Sequence, residues 1–186
     1  MDYSYLDFSH LDSVLEIERE SNPFPWTERN FTDCLEKGYY SLALEDDKRL
    51  VGFAIMAIST EESHLLNIGV NKDFRRSGYG EKILKKMIIA AEVMGSKKII
   101  LEVRVSNKIA YRLYEKLGFY EIGERKKYYR LPEGREDAYV MSKTLKKGFV
   151  SNLFFSKSKS TFQYQSGSAP ALLKIRIDSQ VHHLYL

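Results

Sequence analysis

The sequence predicts an α/β protein of mixed α+β type, with helices covering both faces of a central, mixed but mostly antiparallel sheet. Two observations support this. The first is the order of predicted elements, which is strand, two helices, three strands, helix, strand, helix and two strands. The second is composition: 44% hydrophobic and 29% charged residues in 186 positions are typical of one globular domain with a substantial core.

The first elements are indicated by alternation and by helix breakers. Residues 2–8 alternate between the two faces of an extended chain and predict an edge strand. A helix is predicted over residues 10–21, with Ser9 as its cap. The two prolines of the segment 22–26, NPFPW, end that helix, and a second one is predicted from Thr27 to Lys37.

Three strands and a long helix are predicted next. The strands cover residues 39–45, 49–58 and 61–70, and the helix covers residues 81–94, where apolar side chains recur at helical spacing. Gly69 interrupts the apolar run of the third strand. A glycine in that position predicts either a bulge or a close approach of the backbone to another group.

The second half repeats a strand–helix unit and then closes the sheet. Residues 97–105 form a strongly apolar strand, and residues 106–117 form an amphipathic helix. Gly118 is placed where a helix ends in the left-handed conformation. Residues 119–126 and 138–144 are predicted as the closing strands.

A glycine-rich turn connects the third central strand to the long helix, and it suits an anion. Its sequence is Arg75-Arg76-Ser77-Gly78-Tyr79-Gly80. Backbone N–H groups at a helix N-terminus attract negative charge, and glycines let a phosphate approach the backbone. The alternative is a basic loop that caps an ordinary helix, because short glycine motifs also match by accident.

Two polar side chains lie in apolar surroundings in the second half. Glu102 is flanked by Ile99–Leu101 and Val103 in a strand, where a carboxylate is costly to bury unless it is paired or functional. It is either a general base or half of an ion pair with Arg104 or Arg112. Tyr114 lies on the apolar face of the following helix, where a core tyrosine is the simpler interpretation.

Two further residues have competing interpretations. Trp26, the only tryptophan, lies in the aromatic–proline loop and serves either as a packing wedge or as a wall of a binding site. Cys34 is the only cysteine, which excludes an intrachain disulfide, and its apolar neighbours indicate a core thiol on a helix. Cytoplasmic location is the default expectation from this cysteine usage. No Cys/His cluster has metal-ligand spacing, so no metal is expected.

Charge and hydropathy narrow the classes of partner. The formal charge is +4, and the four basic residues and one acidic residue after residue 148 contribute +3 of it. The remainder is nearly neutral, so direct nucleic-acid binding is not expected. The N-terminus is too polar for a signal peptide, and no apolar run is long enough to span a bilayer. Residues 1–147 are predicted as the domain, and the Ser-rich, basic residues 148–186 as an appendage outside it.

Five segments in this order resemble the GNAT superfamily of N-acetyltransferases: NPFPWTERNF, LLNIGV, RRSGYGEKIL, LEVRVSNKIAYRLYEKLGF and KKYY with GREDAYVM. The resemblance covers about residues 1–146. Within the superfamily the sequence looks most like the bacterial ribosomal-protein alanine N-acetyltransferases. The resemblance implies the acyl-CoA N-acyltransferase fold, acetyl-CoA as co-substrate and a protein N-terminus, most simply that of a ribosomal protein, as acceptor. A monomer is favoured.

Carried over by position, the resemblance also assigns roles to residues. Glu102 would be the general base and Tyr114 the general acid. Acetyl-CoA would be held by backbone and side-chain groups of Ile68, Gly69, Val70, Arg75, Arg76, Ser77, Gly78, Tyr79, Gly80, Glu81 and Asn107. The peptide channel would be bordered by Phe24, Trp26 and Tyr129.

Other functions remain open from the sequence. A broader, archaeal-type N-terminal acetyltransferase shares several of the same segments, and a small-amine acetyltransferase is a third enzyme. A non-catalytic acyl-CoA sensor would use the fold only for binding. Retention of both Glu102 and Tyr114 speaks against the sensor.

Overall fold

The computed structural model describes residues 1–146, which form seven strands, four α-helices and two short 3-10 turns. The strands are β1 (Asp2–Tyr5), β2 (Tyr40–Asp46), β3 (Arg49–Ala57), β4 (Ser63–Val70), β5 (Lys98–Arg104), β6 (Tyr120–Arg130) and β7 (Arg135–Thr144). The helices are α1 (Leu11–Ser21), α2 (Glu28–Glu36), α3 (Tyr79–Val93) and α4 (Lys108–Lys116). The element order matches the prediction, with strand and helix ends shifted by a few residues.

All seven strands belong to one sheet in the order β1-β2-β3-β4-β5-β7-β6. Every neighbouring pair is antiparallel except β4 and β5, which are parallel and pair only at Ser63–Ile99 and His64–Ile100 in the described part of the chain. The mixed, mostly antiparallel sheet is therefore confirmed. This two-residue parallel pairing, called the seam below, is the shortest strand pairing of the described sheet.

Two hydrophobic cores lie on opposite faces of this sheet, as predicted. On one face α1 and α2 pack through Val14, Ile17 and Phe31 against the inward side chains of β2 and β3. On the other face α3 and α4 cover β3, β4 and β5. Each fully buried aliphatic or aromatic side chain stabilises the fold by about 1.5–3 kcal/mol.

The predicted Ser9 cap of α1 is wrong. Asp7 caps instead: its carboxylate accepts hydrogen bonds from the Ser9 backbone N–H at 2.9 Å and the Ser9 hydroxyl at 2.5 Å. This cap starts the 3-10 turn Phe8–His10, and α1 continues from Leu11 without a side-chain cap of its own. Because the Ser9 hydroxyl and N–H are both bound to Asp7, Ser9 becomes part of the capped 3-10 turn and does not cap α1.

The start of α2 is as predicted from Thr27. The Asn30 side chain accepts a hydrogen bond from the Thr27 N–H at 2.8 Å, and the Thr27 hydroxyl accepts one from the Asn30 N–H at 3.4 Å. This reciprocal capping box satisfies two orphan donors. It fixes the direction in which the chain leaves the NPFPW loop.

None of the helices among residues 1–146 combines the length and apolar character that crossing a membrane requires. The predicted appendage, residues 148–186, lies outside the described residues, and the domain boundary at residue 147 stays a prediction.

Candidate active site

The candidate site is the opening between β4 and β5, where the two parallel strands separate after His64. The Asn71 N–H donates to the Val51 carbonyl at 2.9 Å on the β3 side. Because antiparallel pairs alternate, the peptide groups of Ile68 and Val70 point away from β3, toward the opening. The peptide groups of Gly69 instead hydrogen-bond with those of Phe53 on β3. The structure thus brings two of the three predicted acetyl-binding backbone positions to the opening, and directs Gly69 elsewhere.

The bulge of β4 lies at Leu66, between Leu65 and Asn67, and not at Gly69. Gly69 serves the other predicted purpose, close approach. A Cβ there would lie 2.8 Å from Phe53 Cε1 and 3.0 Å from Ile17 Cγ2. Only a hydrogen fits under α1 at this point, which keeps α1 pressed against the strand.

The predicted phosphate loop forms the N-terminus of α3. Gly78 is its N-cap, with φ 79° and no capping side chain, and a Cβ at Gly78 would meet nothing within 4 Å. A Cβ at Gly80 would touch Leu113 and Val70 at 3.6 and 3.7 Å. Gly78 therefore provides the left-handed turn and leaves the helix N-terminus open to an anion, while Gly80 lies against the sheet and α4.

The two loop arginines are placed differently. Arg75 is held by the protein: its Nε donates to the Val70 carbonyl at 3.1 Å and its Nη2 to the Ser21 hydroxyl at 2.9 Å. Arg76 is exposed and left-handed, with φ 62°. The Ser77 hydroxyl donates to the Arg75 carbonyl at 3.4 Å. Both arginines are exposed, but the Arg75 guanidinium ties the loop to β4 and α1, which makes Arg76 the better candidate for an incoming anion.

Tyr79 and Glu81 stabilise the same turn. The Tyr79 ring lies 4.7 Å from Lys82 Nζ. The Glu81 carboxylate binds Lys116 Nζ at 2.6 Å and Lys85 Nζ at 2.8 Å, and these hydrogen bonds lower the pKa of Glu81 to about 2. The Glu81 side chain therefore links α3 to α4. Any contact that Glu81 makes with a phosphate would come from its backbone N–H.

Asn107 is the N-cap of α4, and its side chain accepts a hydrogen bond from the Ala110 N–H at 3.1 Å. This contact stabilises the first turn of the helix that carries Tyr114. Its predicted contact with the cofactor stays a prediction.

Glu102 lies at the centre of β5 and is 3% exposed. Its neighbours Leu101 and Val103 pack into the core under α3 and α4, so strand alternation turns Glu102 to the α1–α2 face. The predicted partners are wrong. Arg104 binds Glu136 instead, and Glu102 Oε1 lies 3.1 Å from Nε of Arg125, a half-exposed residue of β6.

Tyr114 lies on the opposite face, in the core that α3 and α4 share, and is 1% exposed. Its ring packs edge-on against Phe119 at 5.7 Å. Burial raises the pKa of the Tyr114 hydroxyl above its ordinary value, so this group stays protonated at neutral pH. Glu102 and Tyr114 thus lie on opposite faces of the sheet.

The three predicted channel residues are less exposed than a channel wall suggests. Trp26 is 2% exposed and packs on Phe31 at 5.2 Å, as a packing wedge does. Tyr129 is fully buried and donates its hydroxyl to the Glu102 carbonyl at 3.2 Å. Phe24 is half-buried. Their roles beside a peptide stay predictions.

Sequence reasoning missed Glu18 and Arg125. Glu18 is 1% exposed and contacts Asn22, Trp26 and Asn67. A signal was present, because Glu18 follows Val14 and Leu15 at helical spacing on the apolar side of α1. The Arg125 contact joins residues that are 23 positions apart on two strands, and no local pattern predicts it.

Comparison with known proteins agrees with this geometry. The model of the acetyltransferase (GNAT) family matches residues 11–119, more than half of the chain. A relative from Salmonella typhimurium, a [ribosomal protein bS18]-alanine N-acetyltransferase, is 39% identical over 139 residues, which cover 75% of this chain and 94% of the relative. A relative from Bacillus subtilis, a putative [ribosomal protein bS18]-alanine N-acetyltransferase, is 34% identical over 137 residues, which cover 73% of this chain and 89% of the relative.

Solved structures give the same result. The crystal structure of the Escherichia coli ribosomal-protein-S18-alanine N-acetyltransferase matches with a TM-score of 0.74 and 35% identity, over 79% of this chain and 95% of that one. Ard1 from Thermoplasma volcanium matches with a TM-score of 0.71 at 23% identity, over 78% and 98%, and shows the shared fold. The resemblance inferred from the sequence is confirmed: the chain belongs to the GNAT family and is an acetyltransferase.

Proposed function

We propose that this chain transfers the acetyl group of acetyl-CoA to the α-amino group of a protein N-terminus, most simply a ribosomal-protein alanine. The observation that carries the proposal is the placement of two buried polar side chains, Glu102 and Tyr114, on opposite faces of the sheet. The names of the Salmonella and Escherichia coli relatives support the choice of acceptor. Because those relatives are named for a ribosomal protein, we propose that the chain acts in the cytoplasm.

Acetyl-CoA fits the α3 side of the opening. The open N-terminus of α3 at Gly78 and the exposed Arg76 would hold the pyrophosphate. The N–H and carbonyl of Ile68 and the N–H of Val70 would hold the pantetheine and acetyl end as an added strand does, since the Val70 carbonyl already accepts from Arg75. In this pose the thioester would lie in the opening, between the faces that carry Glu102 and Tyr114.

The amine would then enter from the α1–α2 face. An α-amino group has an ordinary pKa of about 7.7–8.0, so removing its proton needs only modest help. Glu102 would take that proton, directly or through a water, and the amine would attack the thioester carbon. The N–H of Val70, which points toward the opening, could stabilise the oxyanion. Because two substrates meet in one opening, their positioning would supply much of the rate.

Collapse of the intermediate expels the CoA thiolate on the Tyr114 face. A thiol has an ordinary pKa of about 8.5, so the thiolate is a tolerable leaving group that gains from a hydrogen-bond donor. Burial raises the pKa of Tyr114, which keeps its hydroxyl protonated but makes it a weak acid. Tyr114 therefore acts first by hydrogen bonding to the forming thiolate, with proton transfer following.

The test is acetylation of a peptide panel, read by mass spectrometry. We expect acetylation confined to the α-amino group, and fastest on a peptide that begins with alanine from a ribosomal protein. Equal rates on many N-termini would favour the broader enzyme, and turnover of small amines alone would favour the small-amine acetyltransferase. Binding of acetyl-CoA without turnover of any amine would identify a sensor and overturn the proposal.

A further inference from the structure

Glu18 of α1 is a buried carboxylate that the proposed mechanism does not use. Its Oε1 accepts hydrogen bonds from the Trp26 backbone N–H and from Asn22 Nδ2, both at 3.0 Å, and its Oε2 accepts one from Asn67 Nδ2 at 3.3 Å. All three donors are neutral. A carboxylate buried without a cation costs stability, so an apolar side chain at this position would serve simple packing better.

The first two contacts fix the NPFPW loop. Asn22, which donates to Glu18, also donates to the Phe24 carbonyl at 2.6 Å and accepts from the Phe24 N–H at 2.9 Å. Glu18 therefore holds the loop at both ends, through Asn22 before the prolines and through Trp26 after them. The loop has few other polar anchors, because its two prolines lack a backbone N–H.

The third contact reaches the bulge of β4. Parallel pairing aligns His64 with Ile100, so two residues further along β5 comes Glu102. On β4 the bulge at Leu66 places Asn67 at the same level and on the same α1–α2 face. Asn67 is fully buried, and its Oδ1 has no hydrogen-bond partner among the described residues. Glu18 and Glu102 thus lie on the same face, on the β4 and β5 sides of the opening.

We propose that Glu18 is a positioning residue that couples the NPFPW loop to the bulge of β4 and so sets the peptide side of the opening. The inference rests on the proposed function, since it requires the peptide to enter from the α1–α2 face. Glu18 acts through the loop and Asn67, and it does not touch the reacting atoms.

Kinetics with three variants test this. Glu18→Leu keeps the volume but removes every acceptor, and we expect the KM for the peptide to rise about tenfold, as for loss of a charge-assisted hydrogen bond. The KM for acetyl-CoA should not change, because that substrate lies on the α3 side. Glu18→Gln keeps Oε1 for the loop, and its amide can donate to Asn67 Oδ1 once that side chain is rotated, so it should behave as wild type. Glu16→Leu, on the exposed side of α1, is the matched control.

Fluorescence gives a readout independent of turnover, because Trp26 is the only tryptophan and its backbone N–H donates to Glu18. In Glu18→Leu we expect red-shifted emission and stronger quenching by acrylamide, with no change in Glu16→Leu. If Glu18→Leu does not fold, Asn22→Ala should raise the peptide KM in the same way, because it removes the Asn22 contact with Glu18 and both Asn22 contacts with Phe24 while leaving the Trp26 and Asn67 contacts of Glu18 in place.

The inference is overturned if folded Glu18→Leu or Asn22→Ala has a lower melting temperature than the wild type while its peptide KM and Trp26 emission stay at wild-type values. Failure of the proposed function is a separate outcome, because the wild-type protein would then not acetylate the peptide at all. In that case a fluorescence change without an accompanying change in peptide binding would overturn the inference as well.

Discussion

Glu102 and Tyr114 can be distinguished by substitutions that keep shape and remove one proton site. Glu102→Gln removes the base and Tyr114→Phe removes the acid, and each should lower kcat by about 10²–10⁴-fold, with little change in affinity for acetyl-CoA. Glu102→Gln should also regain activity as pH rises past about 8, where the substrate amine loses its proton unaided. Steady-state kinetics between pH 6 and pH 10 measure both effects.

Two exposed residues give matched controls for these substitutions, Glu115→Gln on α4 and Tyr120→Phe on β6, and neither should change kcat. A stable Glu102→Gln protein with unchanged kcat would exclude Glu102 as the base. The contact with Arg125 is the alternative explanation for the buried carboxylate. Since Arg125 is 49% exposed, loss of that pair should cost less than the about 3–5 kcal/mol of a fully buried one.

Glu18 should make stability depend on pH. Desolvation raises the pKa of Glu18 in the folded state, so folding favours the neutral acid. This contribution is complete below the ordinary glutamate value of about 4.3 and is lost as pH rises through the raised folded pKa. Glu18→Gln cannot ionise at this position. Its free energy of unfolding should therefore rise relative to that of the wild type between pH 4.5 and pH 8, by about 1.4 kcal/mol per unit of difference between the folded and unfolded pKa of Glu18. Urea titrations of both proteins measure the two free energies of unfolding. A difference between them that does not change with pH would refute this prediction.

Cys34 was expected to be a core thiol, and the structure buries it on α2 with 1% exposure. Burial raises the pKa of the Cys34 thiol to about 12, so its thiolate fraction at pH 8 is about a thousandfold below that of a free cysteine. We expect iodoacetamide to label the native protein at least that much more slowly than the protein in urea. Rapid native labelling would show that α2 opens readily.

At the residue scale, prediction succeeded where the chemistry is local and failed where it is not. The capping box of Thr27 and the left-handed glycines at helix ends depend on neighbours in the chain. The Glu18–Asn67 contact joins positions 49 residues apart, and Arg125 reaches Glu102 from another strand. Only the packing of the sheet determines such partners.

The glycine turn before α3 can be tested against an equivalent turn after it. Gly78 and Gly95 are both left-handed, with φ 79° and 84°, and a Cβ at either meets nothing within 4 Å. Leucine at either position should therefore cost a similar strain of about 1–2 kcal/mol. Only Gly78→Leu should weaken acetyl-CoA binding, by about tenfold or more, because its side chain obstructs the open helix N-terminus. Calorimetry measures the affinity of both variants for acetyl-CoA. Equal affinities would exclude the loop as the pyrophosphate site.

At the element scale, periodicity predicted all seven strands and four helices of the described chain but not their detailed pairing. A bulge at Gly69 was one of the two predictions for that glycine, the other being a close backbone approach, and the bulge lies at Leu66 instead. There, Leu66 and Asn67 both turn to the α1–α2 face, which adds an apolar contact to that core and a polar one to Glu18. The packing of α1 against β4 thus decided the register, and that packing cannot be read from one strand alone.

At the scale of the whole molecule, the sheet is two antiparallel blocks joined by a two-residue parallel seam. Each block has its own antiparallel pairings, whereas the described part of the seam pairs only Ser63 with Ile99 and His64 with Ile100. Contacts beside these pairs support the seam, among them the Lys97 N–H to the Thr60 carbonyl at 3.0 Å and the Ser63 hydroxyl to the Ser96 hydroxyl at 2.9 Å. A ligand that adds a strand along β4 and binds the α3 N-terminus would connect the blocks. Without a ligand, the α3–α4 core already packs on strands of both blocks, so the fold can keep backbone groups of Ile68 and Val70 directed into a gap without losing the sheet.

Truncation tests where the domain ends. Leu145 is 6% exposed, packs into the α3–α4 core and donates its N–H to the Lys97 carbonyl at 2.8 Å, so it closes the end of β7 against α3 and β5. The Salmonella match covers 94% of that relative but only 75% of this chain, which leaves little of the relative to correspond to residues 148–186. A chain ending at Lys147 should therefore keep the wild-type melting temperature, kcat and affinity for acetyl-CoA.

A second truncation, ending at Lys143, is the matched comparison. It also removes Leu145, and loss of that buried side chain should cost about 2–5 kcal/mol, as large-to-small substitutions in a core do. Thermal unfolding with and without acetyl-CoA measures both chains, and the ligand should raise the melting temperature of the chain ending at Lys147 as much as that of the full protein. Aggregation or inactivity of the chain ending at Lys147 would show that residues beyond it belong to the working domain. Equal stability of the two truncations would show that Leu145 does not close the core.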